Sequence, residues 1–376
     1  MSLSHLEWGR TTGAGRWMPF GGLVIDFPLL VLLCLVTGVG FVVLYSALGA
    51  DVGLLMRQGM RFGLGLAAFF VLSQVPPRYL RIFTPWVFCL GLGLLLVVMV
   101  EGEIGKGAQR WLDLGIVRFQ PSELMKLAVP MMCAWFLHER PLPPSPMNLI
   151  AVAIIIFFPA ALVIAQPDLG TGMLITIAGV LVVVMAGLQI QIIATGVVLA
   201  GIGAWVGWSF LHDYQRQRVL TFLDPETDPL GAGYHIIQSQ IAIGSGGVFG
   251  KGWMNGSQAQ LDFLPESSTD FIFAVIGEEF GLLGVSLLLL LYLFVVGRAL
   301  FLAMQTQDTF ARLLAGSLAL TFFVYVFINA GMVSGLLPVV GVPLPLVSYG
   351  GTSMVTLLAG FGILMSLYSH RKLIGS

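Results

Sequence analysis

The feature that most limits what this chain can become is a series of ten apolar stretches. They lie at about 23–46, 54–75, 82–100, 122–138, 148–165, 169–187, 190–211, 271–297, 312–333 and 352–369. A helix of roughly 20 mainly apolar residues is long enough to cross a bilayer. In hydrocarbon every backbone N–H and C=O must be bonded within the protein, so runs of this length fold as helices. Of the 376 residues, 57% are hydrophobic and 10% charged, against about 25% charged in a soluble domain. The sequence therefore predicts an all-α integral membrane protein: a bundle of about ten transmembrane helices in one polytopic domain, 1–376, with a polar tail at 1–22. The run from Leu23 to Leu48 is too long for the apolar core of a signal peptide and reads as a retained first span.

Ten spans put both termini on one side. Connectors and tails there carry Arg10, Arg16, Arg78, Arg81, Arg140, Arg298, Arg312, Arg371 and Lys372 against Glu7, Glu139 and Asp308. Those nine are half of the 18 Lys and Arg, so the bare count is a tie. Most acids lie on the other side, and the positive-inside rule then favours cytoplasmic termini. The other side holds two polar loops, 101–121 and 212–270. The longer one includes "YHIIQSQIAIGSGGVFGKGWMNGSQAQLDFLP". Its apolar and aromatic content predicts a structured extracytoplasmic loop between helices 7 and 8, folded onto the bundle with short helices such as 233–243. "AQPDLGTG" (165–172) reads as a broken or re-entrant piece. No internal repeat is evident, which counts against a transporter built from inverted repeats.

Cys34, Cys89 and Cys133 all fall in apolar runs without paired spacing and read as buried hydrophobes. The five histidines show no metal-ligand spacing, and a metal held by carboxylates alone stays open. The net charge of −1 and the lack of a basic tail point away from nucleic acid. "GSGGVFGKG" (244–252) falls short of a Walker loop, since Ser245 replaces its first glycine and Gly252 its hydroxyl residue. It reads as a Gly-rich turn whose amides could cradle an anion.

Three places concentrate polar groups in apolar surroundings. In "RWLDLGIVRFQPSELMK" (110–126), Glu123 and Lys126 are three apart and share a helix face. They form either a snorkelling pair at the membrane boundary or, with Lys106, Arg110 and Arg118, a cationic surface suited to a diphosphate. In "FLPESSTDFIFAVIGEE" (263–279), Asp270 precedes an apolar helix that Ser268 or Thr269 would cap. Asp270 either complements the helix dipole or serves as a carboxylate set between polar loop and bundle. Glu278 and Glu279 read as structural, hydrogen-bonded acids. "NAGMVSGLLPVVGVPLPLVSYGGTS" (329–353) carries three prolines and five glycines at membrane depth. It predicts a broken helix facing a polar cavity lined by Asn329, Ser348, Thr352 and Ser353.

Taken in order, "RWLDLG…FQPSELMK", "QPDLGTG", "FLPESSTDFIFAVIGEE" and the 329–353 segment resemble the SEDS (shape, elongation, division, sporulation) family in its RodA-like branch. The resemblance implies a peptidoglycan glycosyltransferase of the cytoplasmic (inner) membrane. Such an enzyme polymerises lipid II on the outer face for cell elongation and rod shape, with undecaprenyl diphosphate as leaving group. It implies a class B penicillin-binding protein as partner, alongside other elongation-complex membrane proteins. The family's essential acid matches Asp270 and its signature tryptophan matches Trp111. Asp270 is then the expected general base on the acceptor hydroxyl. Lys106, Arg110, Trp111, Glu123, Lys126 and Ser348 are the expected diphosphate-binding or cavity residues. No metal ligand is assigned, and a divalent cation (Mg or Mn) is left open as an aid to the leaving group. An activated donor makes a separate general acid dispensable, unlike the paired carboxylates of glycosidases.

Two other classes fit ten spans: a lipid II flippase, and a non-catalytic scaffold for a penicillin-binding protein. A flippase needs polar groups along its whole path, whereas here they gather on one side. A scaffold leaves Asp270 beside a cationic loop unexplained. A partner contact on the outer loops or on the eighth or ninth span is compatible with catalysis.

Overall fold

A computed structural model describes residues 16–17, 25–105, 108–113, 118–188, 190–210, 216, 220–222, 224, 232–261 and 263–370. The helices are α1 Phe27–Ala47, α2 Val52–Gln74, α3 Pro77–Glu101, α4 Pro121–Leu137, α5 Pro146–Ala165 and α6 Leu169–Met185. They continue as α7 Ile190–Gly207, α8 Ala232–Gly246, α9 Ser257–Gln260, α10 Ile272–Met304, α11 Thr309–Val333 and α12 Thr352–Ser369. All ten apolar stretches of the sequence are helical, as α1 to α7 and α10 to α12. By length and composition, α1, α3, α5, α10, α11 and α12 can each cross a membrane, while α6 and Ala194–Gly207 of α7 are shorter apolar helices. The expected helix at 233–243 is α8. Strands are confined to connectors: β1 Arg16–Trp17 pairs with β2 Ile25–Asp26, and β3 Glu103–Gly105, β4 Ala108–Asp113 and β5 Arg118–Phe119 form an antiparallel meander.

Helix starts are set by polar caps. Asp26, Asp51, Ser145, Asp168 and Asp308 each accept a hydrogen bond from the N–H three residues on, satisfying a donor that the helix leaves open. The "AQPDLGTG" stretch is thus neither broken helix nor re-entrant piece but a tight turn from α5 into α6, with Asp168 as cap. Glycines let helices meet closely, as in many membrane bundles. A Cβ on Gly362 of α12 would lie 2.6 Å from the Phe69 carbonyl of α2, and Phe69 is fully buried. Leu64, Phe83, Ile154, Leu287 and Phe294 are exposed on the rim, the arrangement expected where hydrocarbon is the solvent.

Two expectations need correcting. The eighth span is two helical pieces joined at Gly281 (φ 65°, ψ −163°), because a Cβ there would press on the Gly250 amide and lie 2.6 Å from the Val248 carbonyl. The chain at 247–252 lies along this break. Lys251 and Gly252 N–H donate to the Glu278 and Glu279 carbonyls, both at 2.9 Å, and Leu282 N–H donates to the Gly247 carbonyl at 2.9 Å. Those amides are used, so the Gly-rich turn is a docking element rather than an anion cradle. Second, 334–351 contains no helix. It is an irregular buried segment between α11 and α12, with Val342, Leu344, Leu346, Val347 and Ser348 enclosed by protein. That enclosure is the condition under which non-helical backbone is tolerated at membrane depth.

Candidate active site

The polar interactions divide between the two ends of the bundle. One end carries the caps of α2 and α6, the start of α10 and segment 334–351. Asp270 stands there, two residues before α10, half-buried. Neither Ser268 nor Thr269 caps the helix: the cap is Phe271, without a side-chain bond, and the Thr269 hydroxyl instead donates to the Glu266 carboxylate at 2.7 Å.

Three consecutive carbonyls fix the backbone at Asp270. Tyr349 N–H donates to the Ser268 carbonyl at 2.8 Å, the Ser348 hydroxyl to that of Thr269 at 2.5 Å, and Asn329 Nδ2 to that of Asp270 at 2.9 Å. Asn329 is fully buried and also holds the Val342 carbonyl at 2.8 Å, while Ser348 accepts from Leu344 N–H at 2.8 Å. The Asp270 carboxylate faces Gly341 (φ 72°), where a Cβ would come within 3.5 Å of Oδ2. That φ is left-handed backbone, which glycine adopts without strain.

The other side of the same strand of chain leads to the loop residues. A Cβ on Gly170 would meet the Val340 carbonyl, so the start of α6 abuts the segment that flanks Asp270. Asp168, the cap of α6, accepts from Gln120 Nε2 at 3.2 Å and pairs with Arg110 Nε at 3.6 Å; Arg110 also donates to the Pro167 carbonyl. Arg110 and Trp111 are neighbours on β4 and so point to opposite faces. Lys106 lies outside the described residues. Lys126 and Glu123 form a pair at 2.7 Å, both buried, with the ammonium 5.4 Å from the Tyr325 ring centroid. The snorkelling alternative is thereby overturned: the pair sits inside the bundle because Tyr325 and Glu123 solvate the charge there.

Glu278 and Glu279 are structural acids. Glu278 takes Lys251 at 2.6 Å and Ser257 at 3.0 Å, and Glu279 takes the Ser46 hydroxyl of α1. Sequence reasoning did not single out Asp168, although it lies in a quoted motif, nor Gln58, Arg61 and His235. His235 of α8 stacks on Phe271 at 5.7 Å and 16°. Burial pushes its ring below the ordinary histidine value, with the Glu266 carboxylate and the Pro265 carbonyl acting the other way. Among the described residues no three of His, Cys, Asp and Glu converge as a metal site.

Beside this site, α8, α10 and α11 enclose an apolar groove of about 630 Å³ whose walls include Gly244, Gly277, Gly281 and Gly331.

Comparison with known proteins agrees with this geometry. The family described as "Cell cycle protein" (FTSW_RODA_SPOVE) matches residues 26–373. Peptidoglycan glycosyltransferase MrdB of Escherichia coli is 53% identical over 351 residues, covering 93% of this chain and 95% of that protein. Stage V sporulation protein E of Bacillus subtilis is 32% identical over 92% of this chain and 98% of its own length. Among solved structures, a chain from a study of how a peptidoglycan synthase complex coordinates polymerization and crosslinking superposes with TM-score 0.83. It is 34% identical and covers 93% of this chain and 99% of that one. The rod shape determining protein RodA of Thermus thermophilus gives TM-score 0.71 at 30% identity, over 93% of this chain and 98% of its own. The chain belongs to the FtsW/RodA/SpoVE family of cell cycle proteins and is a multi-pass membrane glycosyltransferase.

Proposed function

We propose that this chain polymerises lipid II into peptidoglycan strands for cell elongation, at the outer face of the inner membrane, with Asp270 as general base. The observation that carries the reading is the fixing of the Ser268, Thr269 and Asp270 carbonyls by three donors from Tyr349, Ser348 and Asn329. A carboxylate so held beside Gly341 is preorganised for one proton transfer. The acceptor sugar hydroxyl attacks the anomeric carbon of the donor and gives its proton to the Asp270 carboxylate. The new C–O bond forms as the bond from that carbon to the diphosphate oxygen breaks, and the electron pair leaves on undecaprenyl diphosphate. Arg110 can turn from Asp168 toward the departing charge, and the Glu123–Lys126 pair contributes from within the wall. A divalent cation (Mg or Mn) would add to the same stabilisation of the departing diphosphate.

Gathering of these groups at one end supports polymerisation over transport. In this reading the Asp270 end faces outward and both termini are cytoplasmic, in line with the Lys and Arg of the connectors on their side. A class B penicillin-binding protein is the proposed partner, its membrane helix seated in the glycine-walled groove of α8, α10 and α11, where small residues allow close helix approach.

The test is polymerisation of purified lipid II by the chain with its partner, transpeptidation blocked, comparing wild type with Asp270→Asn. Loss of a general base should slow the reaction by about 10²–10⁴-fold with thermal stability unchanged. Equal polymer from both proteins would sink the assignment.

A further inference from the structure

Arg61 is nine residues beyond Val52, the start of α2, roughly 14 Å along the helix axis. An ionisable side chain at that depth marks a functional path by default. Lys126, Lys251 and Arg298, by contrast, have carboxylates: Glu123, Glu278 and Asp26. Among the described residues, Arg61 has no carboxylate within ion-pair distance. Its guanidinium stands 4.7 Å from the Tyr349 ring centroid and gives one hydrogen bond, to Gln58 Oε1 at 3.4 Å. A guanidinium carries five N–H donors, so most of its capacity is left for something else.

That something shares the Asp270 site. Tyr349, over which Arg61 lies, is the residue whose N–H holds the Ser268 carbonyl. Gln58, fully buried, anchors Arg61 to the same segment by donating to the Ser348 carbonyl at 3.2 Å and accepting from Gly350 N–H at 3.4 Å. Gly351 runs alongside without covering the cation: a Cβ there would be 3.9 Å from Arg61 Cζ. The positive charge is therefore half-buried and held in place by Gln58 and the Tyr349 ring.

We propose that Arg61 binds the diphosphate of a polyprenyl-linked sugar, in the same cleft as Asp270. The identity of the ligand rests on the polymerase reading, whereas the anion site rests on an uncompensated arginine built into the wall. A guanidinium suits this ligand because its planar fork meets two phosphate oxygens at once. The competing role is mechanical, with Arg61 only pinning Tyr349.

The experiment measures binding of undecaprenyl diphosphate and of undecaprenol to the purified full-length chain in detergent, for wild type, Arg61→Gln and Arg61→Lys. Lipid II polymerisation by the chain with its partner, transpeptidation blocked, is followed in parallel. Arg61→Gln should weaken diphosphate binding about tenfold or more, as expected for losing a charge-assisted hydrogen bond. Undecaprenol binding should stay the same, and Arg61→Lys should retain part of the affinity. In polymerisation, half-saturating lipid II should rise with the maximal rate kept. The proposal is overturned if Arg61→Gln binds the diphosphate as wild type does, or loses diphosphate and alcohol equally. It is also overturned if only the maximal rate falls, which would assign Arg61 to holding Tyr349. Inorganic diphosphate competing as well as the lipid would replace the lipid-linked ligand with a free anion and overturn it likewise. A wild type that binds the diphosphate lipid but makes no polymer would defeat the polymerase reading while leaving the anion site standing.

Discussion

The two ends of the bundle differ in whether every cation fixed in the helix wall has found a carboxylate. At the end away from Asp270, cation meets carboxylate directly. Arg298 forms a two-point pair with Asp26, at 3.0 and 2.6 Å, and Asp26 is 1% exposed at its side chain. Arg81 lies 3.9 Å from Asp308, itself the cap of α11. At the Asp270 end direct pairs also occur, Arg110–Asp168, Glu123–Lys126 and Lys251–Glu278. Arg61, however, is held by Gln58 and the Tyr349 ring with no carboxylate within ion-pair distance among the described residues, and segment 334–351 beside it is irregular. A bundle that only needed to be stable would resemble the first end throughout. An arginine fixed in place without a carboxylate marks the second end as the place where an anionic ligand completes the set.

Four substitutions probe this contrast, the largest effect being the loss of turnover in Asp270→Asn described above. Next is Asp26→Ala. Breaking a buried pair and leaving one charge behind costs about 3–5 kcal/mol. A large drop in thermal stability is expected, with polymerisation per folded molecule unchanged. If activity instead vanished in still-folded protein, the two ends would not be separable. Asn329→Leu comes third. It strips the donor from the Asp270 and Val342 carbonyls, roughly 1–3 kcal/mol for each group left unsatisfied. Here the rate should fall more than stability alone accounts for; a folded variant with full activity would show that this bond does not position the acid.

The smallest effect concerns pH. Burial holds His235 below its ordinary value, so the unfolded chain takes up that proton first as pH falls. Stability is then complete above about pH 6.5 and declines as the medium is acidified through the unfolded-state value. His235→Phe keeps a ring to stack on Phe271 and removes the titration. Thermal midpoints of the two proteins should diverge on the acid side only; parallel curves from pH 5 to 8 would remove His235 from the pH response.

Much of this was legible in the sequence. Spans follow from apolar runs whose ends carry caps, and Asp270 stood out as an acid against a greasy helix. What escaped reading depended on contacts between distant parts of the chain. The break at Gly281 exists because residues 247–252 lie against it, and no local pattern announces that. Prolines and glycines at 329–353 signalled irregular backbone, but a broken helix and a buried extended segment share that signal. Nothing in the sequence near Arg61 signals its setting, which depends on Tyr349 from the far end of the chain and on Gln58 one turn away. Glu123 and Lys126 were visible as a pair by spacing, whereas their burial was decided by Tyr325 from another helix.

Segment 334–351 also has a bearing on biosynthesis. It is enclosed by elements from early and late in the chain: Gln58 of α2, the start of α6 at Gly170, and residues 268–270. Its far end leads into α12, which packs on α2 through Gly362 and Phe69. Synthesis proceeds from the N-terminus, so α2 must wait in the bilayer for the final helix before its principal neighbour exists. A growing chain would hold Asp270 and Arg61 long before it could align them. On this view the enzyme stays silent until its last span has been inserted, and a protein truncated before α12 would be inert even though both residues had been made.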